Sequence, residues 1–105
     1  MKHVHTIQSF TFSHGICAAV QFYRDGLKHR SEGPAYVSYY PSGALCLAIW
    51  YQHGKRHRTN LPAYVSFHPT GNFDILSYWK DGERDFTRSP YIIRYTLDGQ
   101  KRTQP

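Results

Sequence analysis

Acidic residues are scarce in this chain of 105 residues. Seven Asp and Glu stand against 13 Lys and Arg, which gives a formal net charge of +6 at pH 7. This imbalance favours an anionic partner, such as nucleic acid, phospholipid or an acidic protein surface. A small protein that uses charge only for solubility has the same composition. Charge alone therefore indicates the sign of the partner surface and not its identity.

Long apolar runs and catalytic motifs are also missing. No stretch approaches the ~18 apolar residues of a membrane span. The first residues, Met-Lys-His-Val-His, lack the apolar segment of a signal peptide, so we expect a cytoplasmic protein. There is no nucleophile elbow, phosphate loop or pair of carboxylates on one strand face. We therefore expect a protein that is not an enzyme and uses no cofactor.

The seven histidines do not form a metal-binding pattern. His53 and His57 are four residues apart, which places two ligands on one side only in a helix, and here they lie in a predicted loop. No carboxylate or thiolate joins them at ligand spacing. We expect no metal site.

What the chain has instead is a repeat of 28 residues. Glycines mark it in two frames, namely Gly26, Gly54 and Gly82, and Gly15, Gly43, Gly71 and Gly99. A unit this short cannot bury an apolar face alone and must stack on its neighbours. We predict one repeat domain over residues 1–105, with units at 24–51 and 52–79 and partial units at about 7–23 and 80–99. Stacked short repeats usually display a surface and seldom build an enzyme pocket.

Each unit contains a hairpin signal. Ala35–Tyr40 and Ala44–Tyr51 are rich in Val, Leu, Ile and Tyr and are separated by Pro-Ser-Gly. Pro41 presets φ and Gly43 tolerates a positive φ, as a type I turn followed by a left-handed residue requires. Pro69-Thr-Gly71 repeats this loop.

The hairpins predict an all-β fold, an antiparallel meander of about seven strands. It would open with a hairpin at Ile7–Phe12 and Ile16–Tyr23. It would end at Pro90–Thr96 with a strand that has no partner, and Gln100–Pro105 would be a tail. Because an unpaired edge exposes hydrogen-bonding groups, the last strand favours a homodimer.

The three-residue loop sets a register, and the register predicts two faces. With unbroken alternation, Tyr39 pairs with Leu45 and Val37 with Leu47. The predicted apolar face holds Ala35, Val37, Tyr39, Leu45, Leu47 and Ile49, and the amphipathic face holds Tyr36, Ser38, Tyr40, Ala44, Cys46, Ala48 and Trp50. The opening hairpin departs from the pattern, because Phe10, Val20 and Phe22 fall on the amphipathic face.

The two cysteines, Cys17 and Cys46, do not suit a disulfide. In the predicted register they lie on opposite faces and two strands apart, roughly 9–10 Å, which exceeds the bridging distance. We expect both to be small buried hydrophobic side chains.

Aromatic side chains recur on the predicted amphipathic face. Across neighbouring repeats we predict three stacks, Tyr36 over Tyr64, Tyr40 over His68 and Trp50 over Tyr78. Such rings can bind nucleic-acid bases or anchor a protein interface. In the alternative interpretation the sheet curls and the rings form a second core.

The segments between units hold nine of the 13 basic residues: Arg24–Glu32, Gln52–Asn60 and Lys80–Arg88. The pairs His29-Arg30 and His57-Arg58 would either grip phosphates or an acidic protein, or make structural hydrogen bonds in the repeat. Their recurrence favours the structural interpretation. For binding, Gln52–Asn60 is the better candidate, because Lys55, Arg56 and Arg58 face no acid there.

The segments Phe22–Arg30 and Trp50–Arg58, each followed by Pro-Ala, resemble MORN-like repeats of the form aromatic-Tyr-x-x-Gly-x-x-His-Arg-x-x-Gly-Pro-Ala. The resemblance covers roughly residues 22–99, and the third unit departs from it with Asp85-Phe86 in place of His-Arg. It implies a solenoid of β-hairpins that serves as a protein-interaction or membrane-proximal scaffold. Similar repeats in bacterial, phage and giant-virus proteins imply interference with a host or rival macromolecule.

Together these features predict a non-enzymatic protein-binding module, a small inhibitor or regulator whose partner is a protein with an acidic surface. The alternative is nucleic-acid or polyanion binding through the basic segments and the aromatic face. The candidate partner-binding residues are Tyr36, Tyr40, Trp50, Tyr64, His68, Tyr78, Lys55, Arg56 and Arg58.

Overall fold

A computed structural model describes residues 6–14 and 16–102 of the chain, apart from the side chains of Ile16 and Cys17. These residues contain thirteen β-strands and no helix, which confirms the all-β prediction. The strands are β1 (Thr6–Ser13), β2 (Ile16–Arg24), β3 (Leu27–Lys28), β4 (Tyr36–Tyr39), β5 (Leu45–Ile49), β6 (Tyr51–Gln52), β7 (Lys55–Arg56), β8 (Tyr64–Phe67), β9 (Phe73–Ser77), β10 (Trp79–Lys80), β11 (Glu83–Arg84), β12 (Ile92–Tyr95) and β13 (Lys101–Arg102). In the same part of the chain, no helix has the length and apolar character needed to cross a membrane.

The main sheet is antiparallel and follows the chain. Its strand order is β1-β2-β4-β5-β8-β9-β12-β13, and β3 pairs with the end of β2. The described residues form a thin layer with extents of 52 × 39 × 16 Å. No second layer covers either face in this part of the chain, so side chains on both faces reach the surface.

The last long strand has a partner, contrary to the prediction. A turn at Leu97-Asp98-Gly99 brings β13 back onto β12, and Tyr95 lies opposite Lys101. Gly99 belongs to the same glycine frame as Gly43 and adopts φ +92°. The paired structure therefore continues to Arg102, within the segment that was predicted to be a tail.

The predicted three-residue turns are confirmed. Gly43 has φ +91° and Gly71 has φ +97°, the left-handed conformation that glycine adopts at little cost. The Tyr40 N–H donates to the Ala44 carbonyl at 2.8 Å and closes the loop. Tyr39 lies opposite Leu45, as predicted.

One residue further along, a β-bulge changes the register. The next pair is Ser38 with Leu47, so Cys46 is an extra residue on its strand. The other two hairpins contain the same irregularity, between Phe67 opposite Phe73 and Ser66 opposite Ile75, and between Phe12 opposite Cys17 and Thr11 opposite Ala19. The extra residues are Ala18, Cys46 and Asp74, at intervals of 28. The bulges therefore recur at the 28-residue interval seen in the sequence.

Because a one-residue shift moves every later side chain to the other face, the predicted faces are wrong beyond the bulge. What we call the back face carries one register row, Val20, Val37, Ala48, Val65, Leu76 and Ile93. The front face carries the neighbouring row, Gln21, Tyr36, Ile49, Tyr64, Ser77 and Ile92. Ile49 and Leu47 thus lie in front, and Ala48 lies behind. The opening hairpin fits this arrangement, because Phe10 is opposite Val20 on the back face.

The buried residues of the described chain are mostly small. The apolar ones are Ala19, Ala35, Val37, Ala48, Ile49, Ala63 and Val65, and the polar ones are His29, Ser66 and Ser77. Ala35 and Ala63 have no exposed surface. In a single layer, small side chains become buried when larger neighbours lie flat beside them, so large rings and guanidinium groups are needed for this fold.

The basic segments between units are hairpins and not the loops that the sequence predicted. Asp25-Gly26, His53-Gly54 and Asp81-Gly82 connect β2 to β3, β6 to β7 and β10 to β11. Both residues of each turn have positive φ, between 50° and 85°, which identifies type I′ turns. The Gly54 N–H donates to the Lys28 carbonyl at 2.8 Å, and the Gly82 N–H donates to the Arg56 carbonyl at 2.9 Å. These small hairpins therefore stack on one another with the period of the repeat.

Candidate functional site

Three cations at 28-residue spacing lie against aromatic rings at the small-hairpin end of the front face. The Lys28 Nζ is 5.3 Å from the ring centre of Tyr36 and 5.2 Å from that of Tyr51. The guanidinium carbon of Arg56 is 5.3 Å from the Tyr64 ring and 4.9 Å from the Trp79 ring, and that of Arg84 is 5.7 Å from Trp79 and 5.9 Å from Tyr91. All six distances lie within the range of cation–π attraction. We call these eight residues the front ladder.

The small hairpins create this arrangement. A two-residue turn places the residues before and after it opposite each other, so Arg56 lies opposite Tyr51 and Arg84 lies opposite Trp79. Tyr36 and Tyr64 come from the adjoining ends of β4 and β8. Each cation therefore contacts a ring of its neighbouring hairpin or strand, and rings and cations alternate across the sheet.

The ladder cations keep their charge available for a partner. Among the described residues, Asp85 pairs with Arg88, and Asp81 and Asp74 lie beside the rings of His57 and His68, so none of these carboxylates is paired with a ladder cation. Arg84 is exposed, and Lys28 and Arg56 are half-buried. A guanidinium that lies flat on a ring still presents the N–H donors at its edge. The front ladder can therefore bind carboxylates or phosphates.

A second set of arginines lies on the back face. Phe22, Trp50 and Tyr78 directly follow the front-face residues Gln21, Ile49 and Ser77, so they point backwards. The guanidinium carbons of Arg30, Arg58 and Arg88 lie 4.0, 3.8 and 4.8 Å from the centres of the rings of Phe22, Trp50 and Tyr78. We call these three pairs the back clamps.

The back clamps are tied to the backbone of their own repeats. Arg58 donates to the Pro62 carbonyl at 3.1 Å, and Arg30 donates to the Pro34 carbonyl at 3.4 Å. Arg58 is half-buried, and this burial lowers the pKa of its guanidinium. Arg88 differs, since it lies 3.8 Å from the Asp85 carboxylate and donates to Asn60. Arg30 and Arg58 thus connect the end of a small hairpin to the segment that leads into the next long strand.

The histidines of the His-Arg pairs join one repeat to the next. His29 Nδ1 accepts the N–H of His53 at 3.0 Å, and His57 Nδ1 accepts the N–H of Asp81 at 3.1 Å. His29 is only 6% exposed. Its burial, followed by the charges of His53 and Arg24, lowers the pKa of His29. The histidines of these pairs thus make structural hydrogen bonds, but the bonds run between repeats and not within one repeat as expected.

Tyr40 and His68 lie at the other end of the strands, away from the front ladder. The Tyr40 hydroxyl donates to the Phe67 carbonyl, and His68 Nε2 donates to the Tyr95 carbonyl at 3.0 Å. Burial raises the pKa of Tyr40. Both side chains thus bind the next repeat, which separates them from the other predicted site residues.

The predicted ring stacks across repeats are wrong. Equivalent strands are separated by an intervening strand, and Ile49 lies between Tyr36 and Tyr64 in the register. Of the nine predicted site residues, the structure brings three together in the front ladder, Tyr36, Tyr64 and Arg56. Trp50, Tyr78 and Arg58 form back clamps, Tyr40 and His68 lie at the far end, and Lys55 is exposed on β7 with its side chain beside Gly82.

The sequence analysis missed Lys28, Arg84, Tyr51, Trp79 and Tyr91. The sequence signal that could have identified these residues was the dipeptide Asp-Gly at 25–26 and 81–82, since Asp-Gly favours the two-residue turn of a hairpin. A hairpin at Asp81-Gly82 would have placed Trp79 opposite Arg84. It would thereby have identified a cation–aromatic pair.

Other chemistry is sparse in the described part of the chain. No group of three or more His, Cys, Asp or Glu side chains comes together there. Cys46 is a free, half-buried thiol, and the Cys17 side chain lies outside the described residues. Comparisons with protein-family models, curated proteins and solved structures found no match to this chain.

Proposed function

We propose that this chain is a MORN-like repeat module that binds a protein with an acidic surface through the front ladder. It acts without catalysis, as a small inhibitor or regulator of another macromolecule. The observation that carries the proposal is that Lys28, Arg56 and Arg84 are fixed on rings with no carboxylate partner in the described chain. The resemblance to MORN-like repeats adds the expectation of a protein partner.

A carboxylate partner suits the ladder better than stacked bases do. Lys28, Arg56 and Arg84 already lie over Tyr36, Tyr64 and Trp79, so one side of each ring is covered. A base that stacks on a ring needs a free ring face. A carboxylate needs only N–H donors, which a stacked guanidinium or an ammonium group offers at its edge.

Polyanion binding is a second candidate, and one observation favours it. Arg94 and Arg102 lie opposite each other on the front face, and both are exposed. Like charges that face each other across two strands destabilise the pairing. A bound phosphate would relieve this repulsion and would extend a basic surface across the sheet.

A pull-down with two matched baits separates the two candidates. The ladder variant carries Arg56→Gln and Arg84→Gln. The control variant carries Lys80→Gln and Lys101→Gln, which removes the same charge from exposed positions outside both the ladder and the pair of Arg94 and Arg102. We expect wild type and the control variant to retain the same acidic proteins from a lysate of the native host, and the ladder variant to lose them.

Two results would contradict the proposal. Unchanged capture by the ladder variant would remove the ladder from the binding site. Capture that disappears with nuclease and falls about 40-fold between 50 and 200 mM salt would match three phosphate contacts and favour the polyanion candidate.

A further inference from the structure

We propose that the segment recognised by the front ladder is an acidic chain in the polyproline II conformation with a carboxylate at every third residue. This inference rests on the proposed function and names the partner's chemistry.

The ladder has a fixed repeat distance. Lys28, Arg56 and Arg84 occupy the same position in successive small hairpins, which hydrogen bonds from Gly54 and Gly82 dock one on another. Equivalent backbone positions in the main sheet are two strand spacings apart, about 9.4–9.8 Å, and we take this interval for the three cations, which gives a span of about 19 Å. A partner must present negative charges on one side at this interval.

Polyproline II matches the interval most closely among regular conformations. It has three residues per turn and a rise of 3.1 Å, so every third side chain points the same way at about 9.3 Å, or about 18.6 Å over two intervals. A β-strand repeats on one side every ~6.6 Å. In an α-helix, side chains return to the same side approximately every seven residues, or about every 10.5 Å. Over two intervals this distance exceeds the span of the ladder cations by about 2 Å.

The chemistry between the cations also suits this conformation. Aromatic-lined grooves bind proline-rich segments, and Tyr51 and Trp79 lie half-buried between successive cations. Polyproline II has no internal hydrogen bonds, so its carbonyls can accept from tyrosine hydroxyls such as those of Tyr36 and Tyr64. A stiff segment also loses little conformational entropy on binding.

Fluorescence anisotropy with the full chain and labelled 12-residue peptides tests the spacing. The matched peptide is four repeats of Glu-Pro-Pro. Its control has the same composition with glutamates at positions 1, 5, 6 and 10, so that no two are three or six residues apart. We expect the control to bind about tenfold more weakly, since two exposed charge contacts are lost. A peptide of four Glu-Gly-Ser repeats keeps the spacing without the stiffness, and we expect it to bind more weakly than the matched peptide.

The outcomes separate this inference from the proposed function. Equal binding of the matched, rearranged and flexible peptides would overturn the polyproline II inference and leave acidic-protein binding intact. Binding of a 12-residue oligothymidylate with no binding of any acidic peptide would overturn both. Loss of peptide binding in the ladder variant but not in the variant with Lys80→Gln and Lys101→Gln supports both.

A measurement on the wild-type chain avoids any effect of substitution on folding. The chain has two tryptophans, Trp79 in the front ladder and Trp50 in a back clamp. We expect the matched peptide to shift the indole N–H resonance of Trp79 and to leave that of Trp50 unchanged. A shift of Trp50 alone would place the peptide on the back face and overturn the inference.

Discussion

Replacing Arg58 with alanine should destabilise the fold strongly, although Arg58 is a cation in a basic segment at the surface. The guanidinium lies 3.8 Å from the centre of the Trp50 ring and donates to the Pro62 carbonyl at 3.1 Å. A partly desolvated cation–π contact contributes about 1–2 kcal/mol. A hydrogen bond from a charged donor contributes about 1.5–3 kcal/mol. Because the two contacts share one side chain, we expect a total loss of about 2–4 kcal/mol.

Urea unfolding followed by far-ultraviolet circular dichroism measures this loss, since Trp50 fluorescence would itself change with the substitution. Lys55→Ala is the control, because Lys55 belongs to the same segment but is exposed, and we expect a change of about 0.5 kcal/mol or less. A double-mutant cycle with Trp50→Leu gives the coupling between the two side chains. An Arg58→Ala variant as stable as Lys55→Ala would refute the structural role of the back clamps. It would return Arg58 to the candidate binding residues.

Three further predictions concern the fold and its assembly. Because the pKa of His29 is lowered in the folded chain, the unfolded chain takes up a proton more readily, and the free energy of unfolding should fall as the pH drops below about 6.5. Unfolding midpoints measured between pH 8 and pH 5 test this expectation. A His29→Gln variant with the same pH dependence as wild type would contradict it. At Gly43 an added Cβ meets nothing within 4 Å, so Gly43→Ala should cost only the backbone strain of φ +91°. We expect urea unfolding to show a loss of about 1–2 kcal/mol in the free energy of unfolding. The neighbouring Ser42→Ala is the control, at ~0.5 kcal/mol, and a smaller loss for Gly43→Ala than for this control would show that the turn relaxes. Since β13 pairs with part of β12, we now expect a homodimer to form at the edge strand β1, where Phe10 is 52% exposed and Phe12 is 64% exposed. Light scattering should give the mass of a dimer, and Phe10→Glu should convert it to a monomer. A monomeric mass of the wild-type chain at every concentration would refute this expectation.

The period and the turn chemistry could be predicted because each depends on residues close in sequence. Gly43 and Gly71 take the positive φ that their loops require, and the strands of the hairpins lie where the Val- and Tyr-rich segments are. The edge strand β13 was missed because only two residues pair after Gly99.

The register could not be predicted, because the bulge residue has no shared chemistry. Ala18, Cys46 and Asp74 occupy the same position with a small, a thiol and an acidic side chain. Nothing in these residue types distinguishes a bulged strand from a regular one. Yet this shift decides which side chains lie beside Tyr36 on the front face. Arg56 and Tyr64 were predicted as individual site residues, but the contact between them was not predicted, because it depends on the register.

The bulge also explains how one repeat supplies two different cations. With unbroken pairing Tyr36 and Trp50 would share a face, whereas the observed register places Tyr36 in front and Trp50 behind. Each of the first two small hairpins then carries a ladder cation and, two residues later, a clamp arginine, as with Arg56 and Arg58. The back clamps and the front ladder, which we propose as the recognition surface, thereby lie on opposite faces of one thin sheet.

Adding a repeat should therefore lengthen the ladder without weakening the fold. A chain with a second copy of residues 52–79 inserted after residue 79 gains one back clamp and one ladder cation, at the interval of about 9.4–9.8 Å set by the sheet. We expect it to unfold at the same or higher urea concentration and to bind a Glu-Pro-Pro peptide of six repeats about two- to fivefold more tightly than wild type does, because one exposed charge contact is added. The same insertion with Arg56→Gln in the new copy is the matched control and should bind as wild type does. A stable extended chain whose affinity equals that of this control would show that the ladder cations do not act as equivalent contacts along one bound segment.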